Sequence, residues 1–282
     1  MPHAPLAISL NSATIALLCP LVLLAALYAL RVRALTGGSR GVPGWRQACF
    51  YASLAVIALT LVLIGTIARQ LLWAHMLEEL VLGDLAAPLL VLGLTRALLE
   101  PLARVPALRT LRRLLCNPLT ALALWGVDLY AWQLRVLYDA ALQHPGVHAL
   151  EHVLTFTLGA NMWMCLFGAL AQPAWFGERA RLAYAVVGRL AAATLANLFL
   201  WSGNVFYPYY STAEASVSLS PLADQNIAGA IMLFEQAVLT LVLFAWLFRR
   251  ASAGGAQRGL IAPALSVEQP SPLGEPRRRA RL

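Results

Sequence analysis

LLWAHMLEELVLGDLAAPLLVLG, residues Leu71–Gly93, is long and apolar enough to cross a bilayer, yet it carries His75, Glu78, Glu79 and Asp84. A charged side chain at membrane depth costs roughly 2.5–3.5 kcal/mol on insertion scales, so these groups must face something other than lipid. Water, a basic partner, neighbouring helices or a metal ion would each serve. The rest of the chain has to supply one of them.

The setting is a membrane. Of 282 residues, 60% are hydrophobic and only 12% charged, and mean hydropathy is +0.69, far too apolar for an ordinary soluble domain. The net charge of +8 comes entirely from arginine, since lysine is absent. Those arginines lie between apolar blocks and in the tail without an aromatic-interleaved basic face, which argues against nucleic acid as a partner. Cys19, Cys49, Cys116 and Cys165 form no Cys-x-x-Cys pair and read as small core residues. The apolar N-terminal block has no basic residue before it and reads as a retained span.

Blocks of the ~20 residues that a spanning helix needs fall at Ala7–Leu30, Ala48–Ala68, Leu71–Leu94, Pro118–Leu137, Val147–Leu170, Leu182–Ser202 and Ile227–Phe248. This predicts an all-α polytopic bundle of seven transmembrane helices over residues 1–250, with a basic, disordered cytoplasmic tail at 251–282. Only Arg69 and Gln70 separate the second block from the third. Arginines crowd the first, third and fifth connections and the tail, which places the N-terminus outside and the C-terminus inside. Arg69 and Arg135 sit at the opposite ends, and Arg189 lies close enough to the fifth connection to snorkel towards it. The sixth connection, residues 203–226, carries Glu214 and Asp224 but no arginine, and its Tyr-Pro-Tyr-Tyr run suits an interfacial belt.

With that topology the ionisable residues segregate. His75, Glu78 and Glu79 lie near the outer end of the third helix, and His144, His148, Glu151 and His152 near the outer end of the fifth; His3 is outside as well. Asp139 and Asp224 flank the outer ends of the fourth and seventh. Residues three and four apart share a helix face, so His75 with Glu78 and Glu79, and His148 with Glu151 and His152, each form a one-turn donor face. Two such faces turned together make the kind of internal metal site that helix bundles build. Imidazole suits copper, zinc and iron, while carboxylate leans away from Cu(I). Met76 and Met162 offer soft sulfur to such a site, with packing as the leading reading. Asp84, about 13 Å along the axis from His75, together with Asp128, Asn161, Asn197 and Glu235 forms either a polar track or buried pairs, with Asp128 and Arg135 as one pair.

His148-Ala-Leu-Glu151-His152 also fits the His-x-x-Glu-His pattern in which two histidines hold zinc and the glutamate is the base. Five positions with three fixed are a weak match. No His-Glu-x-x-His, Gly-x-Ser-x-Gly or phosphate-binding glycine loop occurs.

Three separated segments carry a family resemblance. They are His75-Met-Leu-Glu-Glu79 running on to Ala86-Ala-Pro88-Leu-Leu-Val-Leu-Gly93; Tyr138-Asp139-Ala-Ala-Leu-Gln-His-Pro145 leading into His148-Ala-Leu-Glu151-His152; and Leu219-Ser-Pro221-Leu-Ala-Asp224-Gln225-Asn-Ile-Ala-Gly229. In this order they resemble the CtaG-type assembly factors of caa(3)-type cytochrome c oxidase. The resemblance implies a seven-span protein of the bacterial cell membrane that matures a haem-copper oxidase through its copper centres. It implies oxidase subunits as partners and neither electron transfer nor catalysis by the chain itself. The family's first motif is commonly His-Met-x-x-His, and Glu79 stands here in place of its second histidine. The expected copper-handling set, with zinc as the other candidate, is His75, Glu79, His148, Glu151, His152 and Asp224. Competing expectations are a copper or proton transporter with Asp84, Asp128 and Glu235 as its pathway, and a zinc hydrolase centred on His148, Glu151 and His152.

Overall fold

The computed structural model describes residues 12–35, 41–108, 110, 115–167, 170, 172–210 and 218–261. His3, the start of the first apolar block, Arg109, Arg112 and Arg113, Glu214 and the tail beyond Ile261 lie outside the described residues. Helices α1 (Ser12–Leu35) and α2 (Gly44–Ala68) are followed by α3, built from Leu72–Leu80, Val81–Ala86 and Ala87–Gly93. Next come α4 (Arg96–Arg104), α5 (Pro118–Ala131), α6 (Arg135–Gln143), α7 (Pro145–Phe167), α8 (Glu178–Trp201) and α9 (Pro221–Ile261). No strand occurs among the described residues. The chain divides into two compact units, Met1–Leu239 and Thr240–Leu282. The second holds the C-terminal part of α9, which continues past Arg250 to Ile261.

Four helices are long and apolar enough to cross a membrane: Leu18–Leu35, Gly44–Ala68, Glu178–Trp201 and Pro221–Arg249. Two further expected blocks, α3 and α7, are those whose hydropathy is diluted by the acids and histidines singled out above. The remaining one, α5, stops at Ala131, where Trp132–Leu134 turns the chain into the separate helix α6.

The expected break at Arg69–Gln70 is a tight turn, closed by the N–H groups of Gln70 and Leu71 on the carbonyl of Ile67. Helix α3 is not a regular α-helix throughout, since its middle, Val81–Ala86, is a π turn. Pro88 supplies the cause. Proline has no N–H to offer the preceding turn and its ring crowds the carbonyl one turn back. Here the Ala87 N–H reaches the carbonyl of Leu82 instead. The carbonyl of Gly83 takes a hydrogen bond from Trp163 Nε1 on α7 at 3.0 Å.

That bond lies where α3 and α7 cross most closely. A Cβ on Gly159 would stand 3.1 Å from the Gly83 carbonyl oxygen and 3.4 Å from its Cα, so any larger residue would push the two backbones apart by a few tenths of an ångström or more. Helix α7 packs along α3, α5 and α6, and α2 lies along the second half of α3. Ser53 of α2 donates to the carbonyl of Ala86 at 2.7 Å, within the turn before Pro88. Proline and glycine thus fix the depth and rotation at which α3 presents its polar groups to α7.

Two expected pairings are replaced. Asp128 does not reach Arg135: it accepts from Trp132 Nε1 at 2.9 Å, while Arg135 lies 3.5 Å from Asp139 on α6. The separate start of α6 at Arg135 turns that side chain away from α5. Nor does Arg189 snorkel to the helix end. It is buried, 3.4 Å from Asp84 and 3.8 Å from Glu235, with its guanidinium over the Trp163 ring. Buried acids on two neighbouring helices attract it more strongly than an interface reached along a lipid path.

Candidate metal centre

The two donor faces expected on α3 and α7 do meet. His75 Nε2 is 3.6 Å from Glu151 Oε1 and 3.8 Å from Glu79 Oε1, and His152 Nε2 is 3.7 Å from Glu78 Oε2. The rings of His75 and His148 lie nearly parallel with centroids 5.4 Å apart, and those of His148 and His152 are 4.2 Å apart. His75, Glu78 and Glu151 are fully buried, whereas Glu79, His148 and His152 are partly accessible. Close approach of a third element is again permitted by a glycine, since a Cβ on Gly65 of α2 would come within 3.1 Å of Glu78 Oε1.

Two overlapping sets have ligand atoms within 4.8 Å of one another: His75, Glu78 and His148; and His75, Glu79 and Glu151. His75 belongs to both. Glu78, absent from the set expected from the motifs, joins because it stands three residues from His75 on the same turn, a signal present in the spacing. His144 is exposed outside the cluster.

Eight atoms of the cluster are buried without a hydrogen-bond partner among the described residues: both ring nitrogens of His75, both oxygens of Glu78 and of Glu151, and Nε2 of His148 and of His152. Folded proteins leave only a few such atoms per hundred residues, each at a cost of about 1–3 kcal/mol. The chemistry of the donors, imidazole nitrogen and carboxylate oxygen with no thiolate, fits a divalent ion such as Cu(II) or Zn(II) better than Cu(I).

Asp224 does not enter the cluster. Its two carboxylate oxygens accept the N–H groups of Leu72 and Trp73 at 2.8 and 2.9 Å, at the otherwise uncapped start of α3. An acidic cap satisfies the free donors of a helix N-terminus and its dipole. Gln225 beside it accepts from the N–H of Phe206 and donates to the carbonyl of Asn204. The Asp-Gln pair therefore ties α9 and the preceding loop to the start of α3, which positions His75.

An aromatic layer closes one side. Tyr138 stacks on Tyr207 at 3.8 Å, shares a hydrogen bond with the Tyr210 hydroxyl at 3.0 Å and lies edge-on to His75 at 5.0 Å. Burial pushes all three phenols well above their usual range, so they remain neutral hydroxyls. The Tyr-Pro-Tyr-Tyr run is thus only partly interfacial: Tyr207 and Tyr210 are buried and Tyr209 is exposed. Met76 is buried in the same core, and Met162 fills the space above Gly188, so both methionines pack. On another side, a pocket of about 230 Å³ lined by Arg69, Ala141, Leu142, Gln143, Pro145, His148 and Tyr209 reaches the cluster at His148.

The His-x-x-Glu-His reading gains nothing from this geometry. Glu151 faces His75 and Glu79, His152 faces Glu78, and neither set that brings three donors together contains both His148 and His152.

A helical membrane protein with a buried histidine and carboxylate cluster between two of its helices is the class that fold and site define. The chain belongs to the cytochrome c oxidase caa3 assembly factor family, whose pattern it matches over residues 24–253. Searches of curated proteins and of solved structures return no match.

Proposed function

We propose that the protein holds copper as cargo in the α3–α7 cluster and passes it to a subunit of a haem-copper oxidase during assembly. The observation that carries this reading is the group of eight buried, unpartnered nitrogen and oxygen atoms contributed by two facing helices. Histidine at the accessible edge favours exchange: His148 lines the access pocket while His75 and Glu151 lie behind it. A donor set open on one side releases an ion more readily than a closed cage. In this reading His75, Glu78, Glu79, His148, Glu151 and His152 are the ligand candidates, and Asp224 holds α3 in place.

The same reading takes seven crossings, with α3, α5 and α7 joining the four helices of sufficient length and apolarity. It sets the cluster on the extracytoplasmic side of a bacterial cell membrane, away from Arg31, Arg46 and Arg96. It assigns residues 251–282 to the cytoplasm and gives the chain no catalytic role. The test is copper uptake by purified protein in lipid nanodiscs at neutral pH, with the copper content of the membrane oxidase measured after gene deletion. The expected results are uptake that His148→Ala with His152→Ala abolishes, and an oxidase short of copper. No uptake by the wild-type chain would remove copper from the proposal, and a normal oxidase would remove assembly.

A further inference from the structure

Beyond the cluster lies a second concentration of charge. Arg189 of α8 stands with Nη2 3.4 Å from Asp84 Oδ1 and Nη1 3.8 Å from Glu235 Oε1, and the Trp163 ring of α7 lies 5.4 Å from its guanidinium carbon. Gln236 Nε2 donates to the other oxygen of Glu235 at 2.7 Å. No further cation pairs with either acid among the described residues. Two carboxylates, one on α3 and one on α9, share a single guanidinium from α8 and leave one negative charge in excess, deep within an apolar bundle where uncompensated charge is strongly disfavoured. Glu235 Oε1 and Arg189 Nη1 face each other yet have no hydrogen-bond partner among the described residues. A cavity of about 60 Å³ adjoins this triad and reaches back to the cluster, lined by Glu79, Asp84, Asp128, Thr155 and Gln236 among others. Most of its wall is apolar, but Glu79, Asp84, Asp128 and Gln236 supply hydrogen-bonding groups, and its size suits a few water molecules, each of which needs only about 10–15 Å³ of such space.

We propose that Asp84 and Glu235 form a proton-binding site that holds one exchangeable proton between them, taken from and returned to water in the cavity leading to Glu79. One proton makes the triad neutral: an O–H bond forms on one carboxyl, and the other stays ionised beside Arg189. The site stands whether or not the cluster takes copper.

Infrared spectroscopy of the full chain in nanodiscs tests this through the carbonyl stretch of protonated carboxylic acids, which shifts in D2O. Asp84→Asn and Glu235→Gln each leave one carboxylate for one guanidinium, so each should remove the same single band. Arg189→Gln should add one, because both acids are then neutral. Spectra of both acid variants that superimpose on wild type would mean that both groups are ionised, and would overturn the proposal. The two acid variants decide the question even if Arg189→Gln fails to fold, since each is electroneutral without a proton. Filling the cavity wall with Thr155→Leu should slow the D2O shift of that band; an unchanged rate would rule out the water path.

Discussion

Asp224, in the first turn of α9, accepts the backbone N–H of Leu72, 152 positions earlier, at 2.8 Å. Through this bond the C-terminal helix fixes the start of the helix that carries His75. A cap and a ligand differ in what their loss does. Asp224→Ala should destabilise the protein by about 1–3 kcal/mol, the range for losing hydrogen bonds to a charged group. Asp224→Asn keeps an acceptor and should leave metal uptake intact. Thermal unfolding and metal stoichiometry, measured together, check this. Lost uptake with unchanged stability in Asp224→Asn would mean that Asp224 is a ligand after all.

Copper uptake should fall as pH is lowered through the range where histidine protonates, because an imidazole must be neutral to coordinate and protons then compete with the ion. Equilibrium binding across that range in nanodiscs reads this out. A profile that stays flat until the fold itself is lost would remove the histidines from the donor set.

Glu79 is the carboxylate nearest to His75 on its own helix, at 3.8 Å. Glu79→His replaces a hard oxygen with a borderline nitrogen, so preference should move towards Cu(I) and away from Zn(II). Competition between the two ions, under reducing conditions, measures the change. An unaltered preference would place Glu79 outside the coordination set.

Gly159 lets α7 touch the backbone of α3, where an added Cβ would stand 3.1 Å from the Gly83 carbonyl oxygen. Gly159→Leu should lower stability by at least about 1–3 kcal/mol, as overpacking does. It should also weaken metal uptake without touching a ligand, because it forces the donor faces apart. Thermal unfolding and binding isotherms of the same sample should move together.

Trp163→Phe keeps the ring beneath Arg189 but deprives the Gly83 carbonyl of its donor. The expected loss is about 1–3 kcal/mol for a buried acceptor left unpaired. Unchanged thermal unfolding would show that the π turn satisfies this carbonyl by itself.

The helical architecture and the centre's two halves were legible because both depend on local periodicity. Apolar length marked the helices, the Arg69–Gln70 interruption marked the turn before α3, and spacings of three and four put His75 with Glu79 and His148 with Glu151 and His152 on single faces. Glu78 was equally visible in that spacing. The partners of Asp224 and Arg189 were not, because each is settled by which groups arrive from elsewhere in the fold, whereas Asp128 takes the indole of Trp132, one turn on, where α5 ends. Asp224 finds backbone donors 152 residues away, and Arg189 finds acids on α3 and α9 in place of an interface. The π turn was signalled only by Pro88, whose consequence depends on a tryptophan in α7.

The opening beside His148 would limit how an ion held in the cluster could change hands. At about 230 Å³ it is smaller than the ~300–1,000 Å³ typical of sites for drug-sized molecules. A bare ion or one intruding side chain fits; a folded domain does not. In the handover proposed above, an acceptor protein would extend a finger of its own chain past Arg69 and Tyr209, and the reach of that finger, more than the area of its docked surface, would select the client.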